Sequence, residues 1–118
     1  MSEQRDADCL FCKIVAGEIP ADVVHETKTT LAFRDIKPQA PTHILVIPRE
    51  HHPDVAAVAA DAPETALDLL NTAAAVAEQE GLQSGYRLVF NTGKDGNQLV
   101  FHVHLHVLGG RAMGWPPG

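Results

Sequence analysis

The feature that most constrains the fold is a run of eight residues near the end of the chain, in which three histidines alternate with apolar side chains. The run reads Phe101-His102-Val103-His104-Leu105-His106-Val107-Leu108. Successive side chains of a β-strand point to opposite faces, so the alternation predicts a strand over 101–108 with its three imidazoles on one face. Adjacent imidazoles then stand roughly 7 Å apart, a spacing suited to one phosphate-sized group. Three stacked imidazoles titrate near neutrality and repel one another if charged, so the pattern indicates chemistry and not structure alone.

Length and charge limit the classes of protein to consider. A chain of 118 residues is expected to form one domain, here 9–118, after a polar segment over 1–8 that we expect to be disordered. No apolar run is long enough to span a membrane, and the first residues lack a signal-peptide pattern, which predicts a cytoplasmic protein with no membrane partner. The net charge of −6 and nine scattered basic residues disfavour a nucleic-acid partner.

The remaining patterns predict a sheet of hairpins with helices packed on it. A short helix starts at Leu10 and ends before Gly17, and strands are expected over 23–26, 30–34, 42–48 and 86–91. One long helix is expected over 61–80, capped by Asp61, while 55–58 allows one helical turn. The buried stripe of the long helix is expected to be Leu67, Leu70, Ala73, Ala74 and Ala77. Hairpins without helical crossovers predict an antiparallel sheet and the α+β class.

The two cysteines form a Cys-x-x-Cys pair, Cys9-Leu10-Phe11-Cys12. In a reducing compartment such a pair indicates either half of a metal site or a redox pair. A redox pair normally follows a strand in a thioredoxin-like unit, and no strand pattern precedes Cys9. The position of the pair therefore favours a metal site.

Several short motifs, in order along the chain, carry a resemblance to a known family. They are Gly17-Glu18-Ile19-Pro20-Ala21, Ala32-Phe33-Arg34-Asp35-Ile36, Pro38-Gln39-Ala40-Pro41-Thr42-His43, Leu45-Val46-Ile47-Pro48, His102 to Val107, and Trp115-Pro116-Pro117-Gly118. With these motifs the chain resembles the histidine triad (HIT) superfamily, in particular its Hint branch of nucleoside phosphoramidases. The resemblance implies a five-stranded antiparallel sheet with one long and one short helix, and a homodimer in which the tail at Trp115 reaches toward the partner's site.

The resemblance also implies roles for the histidines. His104 is the expected nucleophile, since a neutral imidazole attacks phosphorus well and its adduct is labile. His106 is expected to contact the α-phosphate and the leaving atom, with His43 as a further phosphate or leaving-group contact. The central position of His104 also gives it a neighbour on each side, His102 and His106, and one of these can stay protonated and stabilise phosphate charge.

The nucleotide-binding residues follow from the same resemblance. Asp35 matches the acid that binds ribose, because a carboxylate accepts from both hydroxyls. Asn91 fits a ribose or phosphate contact, although a local role in its turn explains it nearly as well. The expected walls of the base pocket, each of which serves equally as simple core, are Phe11, Ile14, Phe33, Ile36 and Leu45.

Two further expectations concern the loop before the histidines and a metal. Hint enzymes carry Gly-Gln-Ser or Gly-Gln-Thr where this chain has Asn97-Gln98-Leu99, so backbone N–H groups remain for phosphate but a hydroxyl is lost. Its loss removes roughly 1.5–3 kcal/mol of interaction if that hydrogen bond is fully used. The ligand set Cys9, Cys12, His51 and His102 matches a structural zinc site of some bacterial HIT proteins, and no cofactor is expected for catalysis.

The sequence therefore predicts a hydrolase that cleaves the P–N bond of purine nucleoside phosphoramidates of the AMP or GMP type through a nucleotidyl-His104 intermediate. Two alternatives stay open. One is a nucleotide-binding module with little catalysis, which Leu99 favours. The other is a metalloprotein whose three imidazoles, His102, His104 and His106, themselves hold the metal.

Overall fold

The computed structural model describes residues 8–118, so the expected disorder of the N-terminal segment lies almost wholly outside the described residues. The elements in chain order are α1 (Leu10–Val15), β1 (Val23–Glu26), β2 (Thr30–Arg34), β3 (Thr42–Pro48), α2 (Val55–Asp61), α3 (Pro63–Gln79), β4 (Tyr86–Phe90) and β5 (Leu105–Gly109). Within 8–118, none of the helices has the length and apolar character that crossing a membrane requires.

The five strands form one antiparallel sheet in the order β1-β2-β3-β5-β4. The expected strands over 23–26, 30–34 and 42–48 are confirmed residue for residue, and β4 ends one residue earlier than predicted. The α+β class and the antiparallel sheet are therefore confirmed.

Each face of the sheet carries its own apolar core. On one face α3 packs through Leu69, Ala73 and Val76 onto the even-numbered residues of β3. On the other face α1 contributes Cys9, Phe11 and Cys12, which pack with Phe33, Leu45 and Ile47. Because Leu45 lies opposite His106 in the ladder, the His106 side chain emerges on the face that α1 covers.

The predicted long helix is confirmed as α3, but its predicted cap at Asp61 is wrong, because a separate helix, α2, ends at that residue. Asp54 caps α2 by accepting a hydrogen bond from the N–H of Ala57 at 2.9 Å, so the apolar turn at 55–58 grows into a seven-residue helix. Asp61 is the last residue of α2, and α3 begins at Pro63. The structure thus has three helices where one long and one short helix were expected.

The predicted buried stripe of the long helix is also partly wrong. Ala73 and Ala77 are buried as expected, but Leu67 and Leu70 are 57% and 47% exposed and Ala74 is exposed. The residues that face the sheet are instead Leu69, Thr72, Ala73, Val76 and Ala77. The helix carries two apolar stripes, and periodicity alone could not decide which one the sheet covers.

The strand predicted over 101–108 begins only at Leu105, so its first four residues are not in the ladder. The N–H of Val103 bonds to the carbonyl of His52 at 2.7 Å, outside the sheet. The segment that carries His102 and His104 therefore packs as irregular buried chain, and of the three histidines only His106 lies in the strand.

Candidate active site and metal-ligand cluster

His104 is held in one ring orientation by its own backbone. Its Nδ1–H donates to the carbonyl oxygen of His102 at 2.9 Å, and the ring is only 8% exposed. The Phe11 ring packs edge-on against it, with centroids 5.1 Å apart. Since a neutral imidazole has one N–H and one lone pair, this hydrogen bond leaves the lone pair on Nε2.

His106 and His43 form a second, linked pair beside it. The His104 and His106 ring centroids are 5.0 Å apart, and Nδ1 of His106 lies 2.9 Å from Nε2 of His43. Nδ1 of His43 accepts a hydrogen bond from the backbone N–H of Gln39 at 3.0 Å. Asp35 lies near this pair, with Oδ2 3.5 Å from His43 Nε2. Among the described residues, Nε2 of His106 is buried without a hydrogen-bond partner, so it is free for a bound ligand.

Asp35, His43 and His106 have the composition of a metal site, and their ligand atoms lie within 4.8 Å of one another. The hydrogen bond from Gln39 argues against a metal there. Because Nδ1 of His43 is already an acceptor, the proton of the neutral ring must sit on Nε2, which then has no lone pair for a metal. The cluster is therefore suited to hydrogen bonding along a chain of imidazoles.

The two cysteines lie next to His102 and His51. Nδ1 of His102 lies 3.3 Å from Sγ of Cys9 and 3.5 Å from Sγ of Cys12, and Nδ1 of His51 lies 3.4 Å from Sγ of Cys12. All four ligand atoms lie within 4.8 Å of one another. The structure thus brings together the four residues that the sequence named as metal ligands.

These four residues fit a tetrahedral zinc ion. Two sulfurs and two imidazole nitrogens are the donors that zinc prefers, and typical zinc bond lengths place sulfur and nitrogen ligands about 3.5 Å apart. Nε2–H of His102 donates to the carbonyl oxygen of Pro48 at 2.9 Å, which leaves the lone pair on Nδ1, the atom that faces the sulfurs. Burial raises the pKa of the Cys9 thiol to about 11, a cost that a bound cation would offset.

The same geometry contradicts the alternative in which the three imidazoles of the triad hold a metal together. The lone pair of His102 points to the cysteines, whereas Nδ1 of His106 faces His43. Neither of the two candidate ligand groups among residues 8–118 contains all three triad histidines. His102 belongs to the cysteine cluster, His106 pairs with His43, and His104 belongs to neither group.

Burial keeps the triad neutral. It lowers the pKa of His102 and of His106 to about 4, with a smaller contribution from neighbouring imidazoles, and it also lowers the pKa of His104 and His43. The expectation that one neighbour of His104 stays protonated is therefore wrong for the free protein. A lone pair on a neutral His104 is what a nucleophile requires.

The expected nucleotide-binding residues lie in different environments. Asp35 is half-buried and its Oδ1 accepts from the N–H of Lys37 at 2.8 Å, while Ile36 beside it is 92% exposed. Phe11, Phe33 and Leu45 are buried against one another, Ile14 packs at their edge, and Asn91 is half-buried. The side chain of Ile36 is thus accessible to a ligand. The buried rings of Phe11 and Phe33 pack against each other, and Phe11 also packs against His104.

The loop before the triad is held by the side chain of Gln98. Its Oε1 accepts from the N–H of Gly93 at 3.0 Å, and its Nε2 donates to the carbonyls of Pro53 and Val100 at 2.7 and 3.0 Å. Asn97 has a φ of 63°, and Leu99 is 79% exposed. Both side-chain N–H groups of Gln98 are used inside the protein, and its backbone N–H donates to the carbonyl of Gly93 at 3.0 Å, so Gln98 has no free N–H for a phosphate. The N–H of Asn97 likewise donates to the carbonyl of Lys94 at 3.0 Å, so the expectation that it binds phosphate is not supported, and Leu99 N–H remains.

Two groups that orient the site have no signal in the sequence. The N–H of Gln39 fixes the His43 ring, and the carbonyl of Pro48 fixes the His102 ring. Both are backbone groups, which every residue of this kind carries, so residue type alone could not identify them.

Comparison with known proteins agrees with this geometry. The model of the HIT domain family matches residues 16–113, which is most of the chain. This protein belongs to the HIT family. The crystal structure of a HIT family hydrolase from Legionella pneumophila Philadelphia 1 superposes with a TM-score of 0.90 at 56% identity, covering 94% of this chain and 100% of that one.

Two curated relatives bear on the metal cluster and on the chemistry. The 14 kDa zinc-binding protein of Zea mays is 50% identical over 117 residues, which cover 96% of this chain and 90% of that protein. The adenylylsulfatase HINT1 of Arabidopsis thaliana is 48% identical over 117 residues, which cover 96% of this chain and 78% of that protein. The chain is thus similar to a HIT family hydrolase, to a zinc-binding protein and to an adenylylsulfatase.

Proposed function

We propose that this HIT protein hydrolyses purine nucleoside phosphoramidates of the AMP or GMP type through a nucleotide bound covalently to His104. The observation that carries the proposal is the hydrogen bond from His104 Nδ1–H to the His102 carbonyl, because it leaves the Nε2 lone pair free. The free Nε2 of His106, on the neighbouring ring, supports it further. In this proposal His104 is the nucleophile and His106, on the neighbouring ring, is a hydrogen-bond donor to the substrate.

The reaction divides into two displacements at phosphorus. In the first, Nε2 of His104 forms a bond to phosphorus while the P–N bond of the substrate breaks and its electron pair stays with nitrogen, which leaves as a neutral amine if it carries an added proton. In the second, water forms a bond to phosphorus and the bond to His104 breaks, which returns the lone pair to Nε2 and releases the nucleoside monophosphate. The proton lost by water passes to solvent.

Asp35 and the surfaces beside it are the proposed nucleotide site. The Asp35 carboxylate retains acceptor capacity after its hydrogen bond from Lys37, as ribose hydroxyls require. The exposed Ile36 offers an apolar surface for a base, and the backbone N–H of Leu99 is the proposed phosphate donor, since the N–H of Asn97 already donates to the carbonyl of Lys94 at 3.0 Å.

A zinc ion at Cys9, Cys12, His51 and His102 is proposed as a structural element. Four protein ligands complete a tetrahedron, so the ion would have no open position for substrate or water. The cluster joins α1 to the segment that carries the nucleophile. Its role in the reaction is to hold His102, whose carbonyl orients His104.

A homodimer is proposed on the apolar surface that the single chain leaves exposed. β4 is an edge strand, with Tyr86 and Leu88 43% and 37% exposed, and α3 exposes Leu67 and Leu70. An exposed edge strand pairs readily with a second copy. Sedimentation equilibrium tests the proposal: we expect a dimer for wild type and a monomer for Leu88→Lys, and a monomeric wild type would contradict it.

A nucleotide-binding module with little catalysis is the second candidate. Leu99, 79% exposed in the loop before the triad, brings no hydroxyl to a phosphate. Loss of the hydrogen bond between that hydroxyl and the phosphate lowers turnover by roughly one to two orders of magnitude if the bond is fully used, while nucleotide binding persists.

Hydrolysis of adenosine 5′-phosphoramidate, followed as AMP release, distinguishes the two candidates. We expect release by wild type, none by His104→Ala, and an increase of roughly tenfold or more in Leu99→Ser. His25→Ala is the matched control, since His25 is bonded to Gln79 on a different part of the surface. Wild type that binds AMP with no release would support the binding module.

A further inference from the structure

A series of hydrogen bonds that begins at the backbone of Gln39 ends on His106. Because Gln39 N–H donates to Nδ1 of His43, the neutral His43 ring carries its proton on Nε2. That proton points at Nδ1 of His106, 2.9 Å away. His106 must then accept at Nδ1 and carry its own proton on Nε2, the atom that is buried and without a partner among the described residues.

The loop that contains Gln39, where this series of hydrogen bonds begins, is itself held in place. Arg111 Nε donates to the carbonyl oxygen of Gln39 at 3.1 Å, and the Gln39 side chain donates to the carbonyl of Lys37 at 3.0 Å. Lys37 in turn bonds through its N–H to Asp35 at 2.8 Å. The loop that supplies the Gln39 N–H is therefore fixed at several points, which preorganises the His43 ring.

The same contacts oppose a second proton on His106. An imidazolium would place an N–H on Nδ1 directly against the Nε2–H of His43 at 2.9 Å, donor against donor. The groups that face His106 are His43 from β3, His104 from the segment before β5, and Asp35 from the loop after β2. Burial and the two imidazoles lower the pKa of His106, and only the Asp35 carboxylate opposes them.

We propose that His106 acts as a neutral hydrogen-bond donor through Nε2–H, and that His43 is a positioning residue that fixes its tautomer. In this assignment His43 does not touch the substrate. A neutral imidazole donor stabilises charge as it develops on an oxygen or on the leaving atom without transferring its proton.

This assignment restricts the leaving groups that the site can process, a consequence that rests on the proposed hydrolase function. No proton comes from His106, so the leaving group must depart as a stable anion or arrive already protonated. Sulfate meets the first condition, since it leaves as an anion when the P–O bond of an adenylyl sulfate breaks. A phosphoramidate meets the second when its nitrogen has taken a proton from solvent before the P–N bond breaks.

Imidazole ¹⁵N NMR on the full chain tests the tautomer independently of activity. We expect His106 to be neutral and protonated on Nε2, both alone and with AMP bound, at neutral pH. His43→Gln keeps a side-chain N–H and should preserve that state, His43→Leu should let His106 populate the Nδ1–H tautomer, and His25→Gln should change nothing. A doubly protonated His106 with AMP bound, or an Nδ1–H in wild type, would overturn the proposal.

The pH dependence of two substrates tests the consequence for leaving groups. We expect kcat/KM for adenylyl sulfate to be flat across neutral pH, and kcat/KM for adenosine 5′-phosphoramidate to fall as the substrate nitrogen loses its proton. His43→Leu should lower kcat for both by roughly 10- to 100-fold, with rescue by His43→Gln. If kcat/KM for both substrates decreased at the same pH, as the titration of one group of the enzyme would cause, the assignment would be contradicted. If wild type hydrolyses neither substrate, the proposed function fails and the NMR result alone decides the tautomer.

Discussion

Removal of the cysteine pair tests the metal cluster most clearly. The change is the double substitution Cys9→Ser and Cys12→Ser. Serine at position 9 keeps a side-chain oxygen where the Cys9 sulfur now accepts from the N–H of Cys12 at 3.3 Å, so the N-cap of α1 is retained. Both cysteines also belong to the apolar core, so the substitutions cost some stability without a metal, and only the part of the stability that a chelator removes reports the metal ligands.

The size of the effect follows from ligand binding to the folded state. The four ligands come from three segments, with Cys9 and His102 separated by 93 positions, so an unfolded chain does not present them together. A ligand at 100 to 1,000 times its Kd then stabilises the folded state by about 2.7–4.1 kcal/mol. For a domain of this length that corresponds to roughly 10–15 °C in Tm.

Thermal unfolding with and without a chelator is the assay. We expect the chelator to lower the Tm of the zinc-loaded wild type by that amount and to leave the double variant unchanged. His51→Gln and His52→Gln form a matched pair of neighbours: the first should lose most of the chelator response, and the second should keep it because His52 lies near Glu50 instead. A wild-type Tm that does not change when the chelator is added, or a double variant whose Tm still falls with the chelator, would refute the reasoning.

The remaining predictions concern the core, the base surface and acid stability. Leu69→Ala should lower the free energy of unfolding by about 2–5 kcal/mol in urea titrations, because Leu69 is fully buried under the sheet. Ile36→Ala should change it by less than about 0.5 kcal/mol and instead weaken AMP affinity measured by calorimetry, since Ile36 is 92% exposed. The pKa of His106 falls from 6.5 to about 4 on folding, so the unfolded chain takes up the proton first as pH drops. Stability from this residue is therefore present above about pH 6.5 and lost toward pH 4, on the order of 2 kcal/mol, and the pH dependence of unfolding should flatten in His106→Asn but not in His25→Asn.

The sequence predicted most of the sheet because strand alternation and turn chemistry are local. The bounds of Thr42–Pro48 were predicted correctly, and the strand is buried at every residue because Ile44 and Val46 pack in one core and Leu45 and Ile47 in the other. The helices were harder. Asp61 is a good cap by residue type, but the long helix α3 has Ala62 at its N-cap with no side-chain hydrogen bond, and the aspartate that caps a helix in this region is Asp54, at the start of α2.

The sequence predicted which residues form the candidate metal site, but not how the histidines are hydrogen-bonded to one another and to the backbone. Cys9, Cys12, His51 and His102 follow from family resemblance, and the structure brings them together. The sequence could not show that the strand begins only at Leu105, because the alternation at 102–106 matches a regular strand, whereas the N–H of Val103 bonds to the carbonyl of His52 outside the sheet. Protonation states were likewise hidden, since they depend on burial and on the backbone groups of Gln39 and Pro48.

Mass spectrometry of the acid-sensitive intermediate tests the central claim most directly. Wild-type protein is mixed with adenosine 5′-phosphoramidate, quenched within one turnover under mildly alkaline denaturing conditions, and digested for peptide mapping. The account predicts an adenylyl group on the peptide that carries His104, placed on that residue by fragmentation and absent from His104→Ala. An adduct on His106 or His43, or AMP release by His104→Ala at the wild-type rate, would contradict it.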